Sequence, residues 1–201
     1  MGLIEDSVRD LEAAIEGTGC EEGAVILRRS PGTVNCQYEH GVCLESLYGG
    51  RSGEFVTEDP VEATTKIAFL FDVSLETRKA KSAACAVLNV VTAFLCISRK
   101  VRACPASAHV PCLKSLKDTL NGRRIFLIGS SPAIEHEFSS MMTQDPGTAD
   151  LLLIGNEGML RDDAAAIISE FRGQKEILCI GPSTAGMAGL QKIERFCPYG
   201  T

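Results

Sequence analysis

Three short apolar segments in the C-terminal half of the chain constrain its fold more than any other feature. They cover residues 124–128, 151–154 and 176–180, and each is followed directly by a glycine. We predict helices over residues 132–142 and 161–171 after the first two segments, and a short helix or turn over residues 182–190 after the third. Strands that are apolar throughout are buried on both faces, as parallel sheets require. We therefore predict an α/β fold with a Rossmann-like, mostly parallel sheet, whose fourth strand covers residues 193–196.

Glycine-containing turns follow the three apolar strands. Parallel strands place their carboxyl ends at one edge of the sheet, where open α/β sheets bind ligands. Glycine leaves the main chain accessible there, and free N–H groups at the start of the next helix suit an anion. The alternative is that each turn only joins a strand to a helix, with Ser or Thr as the helix cap. The residues predicted to line a ligand crevice are Gly129, Ser130, Ser131, Pro132, Gly155, Asn156, Gly181, Pro182, Ser183 and Thr184.

Common nucleotide-binding and hydrolytic motifs are absent from the sequence. The turn at Gly129 lacks the second and third glycines of the dinucleotide fingerprint, and no Gly-Lys-Ser/Thr sequence of a phosphate-binding loop occurs. Gly-x-Ser-x-Gly and His-Glu-x-x-His sequences are also missing. The sequence therefore identifies no catalytic residue.

The first 72 residues show a different pattern, which predicts a small α+β domain. An amphipathic helix opens the chain, and apolar runs over residues 24–28, 33–38 and 41–48 predict strands. Asp59 followed by Pro60 is typical of a helix start, and we predict a helix from there to residue 71. A second, Rossmann-like domain then covers residues 73–201, with a long helix over residues 75–97 on one face of its sheet.

Nine cysteines are many for a chain of 201 residues. Their odd number and the lack of an export signal favour free thiols or metal ligands over disulfides. Thiol and imidazole groups are ligands for a soft divalent metal ion. The alternative is that the thiols fill the core while the histidines lie on the surface. Two groups have both ligand types close together in the sequence: Cys36, His40 and Cys43 form one, and Cys104, His109 and Cys112 form the other.

Charge and hydropathy limit the partners that we expect. A net charge of −6 argues against a broad nucleic-acid-binding face, although Arg99, Lys100 and Arg102 form a local basic cluster that could meet an anionic ligand. The longest apolar stretch, over residues 83–97, is interrupted by polar residues and is too short to span a bilayer. We predict a cytoplasmic protein that binds a small molecule or metal ion, without nucleic-acid or membrane partners. The sequence is also compatible with a homo-oligomer.

Three sequences carry a resemblance to a known family. They are Gly-Arg-Arg-Ile-Phe-Leu-Ile-Gly-Ser-Ser-Pro at 122–132, Ala-Asp-Leu-Leu-Leu-Ile at 149–154 and Ile-Leu-Cys-Ile-Gly-Pro-Ser-Thr at 177–184. Together they resemble the C-terminal domain of the heavy-metal-chelation family of bacteria and archaea. The alanine-rich segment 82–94 is similar to a helix of that family and places Asn89 at its asparagine.

This resemblance implies a Rossmann-like domain preceded by a small domain similar to the enolase N-terminal fold. It also implies a crevice between the two domains that takes a metal ion or an anionic ligand, with Asn89 among the ligand-binding residues. We therefore predict a small-ligand-binding or heavy-metal-chelating protein. The first alternative is an enzyme of transferase type that acts on a small anionic or nucleotide-like substrate at the same edge. A structural or regulatory subunit is the second.

Overall fold

The computed structural model describes residues 2–201 and contains two four-stranded sheets. Strands β1 (Ala24–Arg29), β2 (Val42–Tyr48), β3 (Arg51–Thr57) and β4 (Ala63–Lys66) form an antiparallel sheet in the order β3-β2-β1-β4. Strands β5 (Ile125–Ile128), β6 (Leu151–Ile154), β7 (Glu176–Ile180) and β8 (Glu194–Phe196) form a parallel sheet in the order β5-β6-β7-β8. The predicted α/β class and its parallel sheet are confirmed.

The parallel sheet is covered on both faces, which explains why β5 and β6 are apolar throughout and why β7 is apolar after Glu176. Every residue of β6 is buried. Leu151 and Leu153 of β6 share one core cluster with residues of helices α4 (His109–Leu120) and α5 (Pro132–Glu137). The alternate residues Leu152 and Ile154 join a second cluster with helices α7 (Ala164–Phe171) and α8 (Ala185–Gln191). Helix α6 (Asn156–Met159) follows β6 directly.

Helix α3 (Arg78–Phe94) connects the two sheets. Thr77 caps its start, because the side-chain oxygen accepts a hydrogen bond from the Ala80 N–H at 3.1 Å. The helix packs against β2, β3 and α8, and also against helix α1 (Leu3–Ile15). One core cluster therefore includes Phe55 of the antiparallel sheet and Cys179 of the parallel sheet. The division into domains at residue 72 stays a prediction.

Local structure differs from the prediction in three places. Residues 33–38 form no strand, and the helix predicted over residues 59–71 is wrong, because this stretch contains β4 and only a short helix, α2 (Phe69–Asp72). The two consecutive threonines of β4 favour an extended edge strand that pairs with β1. Helix α4 was not expected. None of the helices in residues 2–201 has the length and apolar character needed to cross a membrane.

Candidate functional site

The predicted glycine turns do lie along one edge of the parallel sheet, because β5, β6 and β7 are adjacent and parallel. The turn after β5 packs directly on α6. Gly129 has φ +98°, and a Cβ atom there would lie 2.3 Å from the Gly158 nitrogen, so only glycine fits. Ser130 and Pro132 are exposed. An open depression of about 410 Å³ adjoins Gly129 and Glu135.

A segment of the N-terminal half, residues 35–41, lies across this edge; we call it the covering segment. The Ser131 hydroxyl at the end of β5 donates to the Tyr38 carbonyl at 2.7 Å. The Ser183 N–H at the end of β7 donates to Glu39 Oε1 at 3.0 Å. Gly181 has φ +84°, and a Cβ atom there would lie 2.4 Å from Glu39 Oε1. The covering segment therefore occupies positions beside the glycine turns that the sequence analysis assigns to a ligand.

The turns after β6 and β7 are also tied to β3. Gly155, Asn156 and all residues of 181–184 are buried. The Asn156 side-chain amide donates to the Val56 carbonyl at 2.9 Å, and the Val56 N–H donates to Ser183 Oγ at 2.9 Å. Asn156 and Ser183 thus join the parallel sheet to β3 of the antiparallel sheet.

Asn89, the polar residue inside α3, has the same joining role. Its Nδ2 donates to the Glu54 carbonyl at 2.7 Å and to the Ser183 carbonyl at 3.0 Å. Its Oδ1 accepts a hydrogen bond from the Gly186 N–H at 2.7 Å. The side chain is fully buried, so Asn89 positions β3, the β7 turn and α8 relative to one another.

Glu39 is the buried acid of the covering segment. Burial raises the pKa of Glu39 to about 8, and the hydrogen bond from Ser183 opposes this rise. Its second oxygen, Oε2, is buried and has no hydrogen-bond partner within residues 2–201. The Glu39 carboxyl group is therefore largely protonated at neutral pH.

The first predicted metal group is dispersed. Cys36 is buried in the covering segment and Cys43 is buried on β2. The His40 side chain is 74% exposed, and its Nδ1 lies 3.4 Å from Glu58 Oε1. In the described chain, residues 2–201, no three His, Cys, Asp or Glu side chains are arranged to hold a metal ion.

Three cysteines of the two predicted groups and one further cysteine are within electrostatic range of one another. We call Cys36, Cys104, Cys112 and Cys197 the thiol cluster. Burial raises the pKa of the Cys36 thiol, and negative charge on Glu39, Cys197 and Cys104 raises it further. Burial also raises the pKa of Cys104 and of Cys197, and both lie close enough to Cys112 to be affected by its charge.

Two other groups belong to the surroundings of the thiol cluster. The Tyr38 hydroxyl donates to Cys112 Sγ at 3.6 Å. His109 begins α4 three residues before Cys112, on the same side of the helix, and its Nε2 is buried without a partner among residues 2–201. The sequence did not single out Cys197, although it follows the predicted fourth strand directly and so had to lie at the carboxyl edge.

Comparison with known proteins supports the fold. No protein-family model matches the sequence, and no curated protein sequence matches it. A DUF364-family protein of unknown function from Pyrococcus horikoshii is 12% identical with a TM-score of 0.50, and the match covers 90% of this chain and 79% of that one. A DUF364-family protein of unknown function from Desulfitobacterium hafniense is 12% identical with a TM-score of 0.51, over 94% and 81% of the two chains. At such low identity this likeness shows the fold alone, and heavy-metal chelation stays a hypothesis.

Proposed function

We propose that the protein binds a soft metal ion through the thiol cluster at the carboxyl edge of its parallel sheet. The observation that supports this proposal is that four cysteines from separate segments lie within electrostatic range of one another, with Cys36 and Cys112 packed in the same core cluster. Cys36 comes from the covering segment, Cys104 from the loop before α4, Cys112 from α4, and Cys197 from the residue after β8. Sulfur ligands select zinc and other soft metal ions over hard cations such as magnesium.

The surroundings of the thiol cluster fit a metal ion better than a disulfide or a reactive nucleophile. All nine cysteines are free thiols, and burial raises the pKa of Cys36, Cys104 and Cys197, so none of these three is an activated thiolate. The unpartnered Nε2 of His109 offers a nitrogen donor beside Cys112.

Metal binding at this cluster requires movement. Each sulfur ligand of a zinc ion lies about 2.3 Å from the metal. In the described part of the chain, no three candidate ligands are arranged so that they could surround one ion. Cys36 and Cys104 lie in irregular segments, which can shift more easily than the strands and helices. Each thiol must also lose its proton, so we expect metal affinity to rise with pH and binding to release protons.

The test is a titration of the reduced, chelator-stripped full chain with Cd²⁺, followed by the thiolate-to-metal absorption in the ultraviolet and by proton release. We expect saturation at one ion per chain, and a loss of affinity of at least about tenfold in Cys104→Ala and in Cys197→Ala. Cys85→Ala is the matched control, because Cys85 is buried in α3 outside the thiol cluster. Its affinity should equal that of the wild type.

Two results would contradict the proposal. One is unchanged Cd²⁺ affinity in both Cys104→Ala and Cys197→Ala while their folded structure, followed by circular dichroism, is retained. The other is an equal loss in Cys85→Ala, which would attribute the effect to core packing. If the alanine variants of the thiol cluster do not fold, the same titration of Cys104→Ser and Cys197→Ser decides, because serine keeps the volume and removes the sulfur.

A further inference from the structure

A second site of different chemistry lies where the β2–β3 hairpin meets the loop that follows α3. An open pocket of about 550 Å³ is found there. Four cationic side chains line it: Arg51 from the start of β3, and Arg99, Lys100 and Arg102 from the loop. Among the lining residues in the described chain there is no Asp or Glu side chain. We call it the cationic pocket.

The positive charge of this pocket is largely uncompensated. Within residues 2–201, the side chains of Arg51 and Arg99 form no hydrogen bond or ion pair, and both residues are exposed. The Lys100 ammonium donates only to a carbonyl, that of Pro198 at 2.5 Å, so its charge is not cancelled. Arg102 alone pairs with an acid, the buried Glu54, at 3.1 Å. This local excess of positive charge contrasts with the net charge of −6 of the whole chain.

The loop that carries three of these cations is held in place from both sides. The Glu54 N–H donates to the Val101 carbonyl at 2.9 Å, and Glu54 Oε2 accepts from the Ala103 N–H at 2.7 Å. From the parallel sheet, the Arg195 guanidinium donates to the Lys100 carbonyl at 3.2 Å. A pocket wall fixed by two sheets can present its charges in one arrangement.

The same loop contains unusual backbone conformations. Cys96 has φ +59° and Lys100 has φ +55°, in the left-handed region that side chains other than glycine seldom adopt. Such residues cost free energy, persist only where the surroundings hold them, and are concentrated at functional sites. The C-terminal end of α3 also borders the pocket at Ala93, and the N–H groups of Cys96 and Ile97 bond to the Ala93 and Thr92 carbonyls.

We propose that the cationic pocket binds a small molecule that contains a pyrophosphate group. Two linked phosphates carry several negative charges, which match the three lining cations without an acidic partner, Arg51, Arg99 and Lys100, better than a single carboxylate does. Arginine forms paired hydrogen bonds with phosphate oxygens, and the Ser52 hydroxyl at the same wall can donate another. A pocket of 550 Å³ also lies within the size range of small-ligand sites. None of the four cysteines of the thiol cluster lines this pocket.

The experiment measures binding of inorganic pyrophosphate and of ADP to the metal-free full chain by calorimetry at low ionic strength. We expect saturable binding of pyrophosphate that weakens as salt is added. Arg51→Gln combined with Arg99→Gln should lower the affinity by at least about tenfold. Arg51→Lys combined with Arg99→Lys should retain most of it, because the charges stay. Arg29→Gln is the matched control: Arg29 is an exposed arginine on β1 outside the pocket, and its removal should change nothing.

Either pyrophosphate or ADP binding with this variant pattern supports the proposal, and tighter binding of ADP identifies a nucleotide as the source of the pyrophosphate group. The proposal is overturned if neither ligand binds, or if the double glutamine variant binds as well as the wild type. It is also overturned if only a single-stranded RNA oligonucleotide binds at this pocket. Cys36→Ala, which alters the thiol cluster at a residue outside the pocket lining, should bind pyrophosphate normally, so that failure at one site is distinguishable from failure at the other.

Discussion

The carboxyl edge of the parallel sheet and the cationic pocket present polar groups in opposite ways. At the edge, the turns after β6 and β7 and the Asn89 amide are buried and bonded to other parts of the same chain. In the pocket, Arg51 and Arg99 are exposed, and in residues 2–201 neither has a partner. These buried groups of the edge therefore stabilise the fold, whereas the side chains of Arg51 and Arg99 remain available to a ligand.

Glu39 of the covering segment occupies a position at the edge that an anionic ligand could take. Its carboxyl group accepts the Ser183 N–H beside Gly181, which is the type of contact that an anionic ligand makes at the carboxyl end of a strand. The covering segment thus supplies its own acidic group where a ligand could bind. A glycine turn in a sequence indicates a close approach of some group to the main chain, but it does not tell whether that group is a ligand or the protein.

The largest effect on stability is expected at Asn89, whose side chain joins elements at the edge. Asn89→Ala leaves the Glu54 and Ser183 carbonyls and the Gly186 N–H without their partner. We expect a loss of roughly 3–5 kcal/mol in the free energy of unfolding, measured by urea denaturation. Gln144→Ala, which removes an exposed amide, should cost less than about 0.5 kcal/mol. A cost below about 1 kcal/mol for Asn89→Ala would show that these contacts do not stabilise the edge.

A smaller effect, dependent on pH, is expected at Glu39. Burial raises its pKa from 4.5 to about 8, so between these values the folded protein binds the proton more than the unfolded chain does. Stability from this group is therefore full below pH 4.5, falls as pH rises, and levels off above pH 8. Glu39→Gln removes this dependence.

The measurement for Glu39 is the difference in unfolding free energy between Glu39→Gln and the wild type, taken by urea denaturation from pH 5 to pH 8. We expect this difference to shift in favour of the variant by a few kcal/mol as pH rises. Glu58→Gln, at an exposed position beside His40, is the control and should show no comparable shift. A difference for Glu39→Gln that does not change with pH would contradict the burial of an unpaired carboxyl group at the edge.

The smallest effect on stability is expected in the cationic pocket. Arg51→Gln removes an exposed side chain without partners in the described chain, so the free energy of unfolding should change by less than about 0.5 kcal/mol. The same change should weaken pyrophosphate binding. Thermal or urea unfolding of Arg51→Gln beside its binding isotherm gives both values, and a large loss of stability would mean that Arg51 belongs to the fold.

The sequence predicted the parallel sheet but not the covering segment that lies across its carboxyl edge. The residues of β5 and β6, and those of β7 after Glu176, are apolar because both faces of the sheet are buried, and this pattern is visible in the local sequence. The covering segment has no such signal, since its bonds to Ser131 and Ser183 join residues about 90 to 140 positions apart. The helix predicted over residues 59–71 failed for a related reason, because pairing with β1 decides the conformation of β4.

The candidate site residues likewise differ in whether their proximity could be predicted from the local sequence. Cys104 and Cys112 could be paired from the sequence because only a short loop and one helical turn separate them. Their approach to Cys36 and Cys197 depends on the covering segment and on the place of β8 beside β7, which spacing along the chain does not reveal. Arg51 likewise joins the basic loop cluster only because the β2–β3 hairpin packs beside the end of α3.

Amide hydrogen exchange with and without saturating pyrophosphate tests most directly whether the ligand uses the pocket or the edge. The account predicts slower exchange on binding in residues 51–53 and 96–102, and unchanged exchange in the turns at residues 129–132, 155–158 and 181–184. New protection confined to those turns would contradict it, because the ligand would then bind at the carboxyl edge that the covering segment closes.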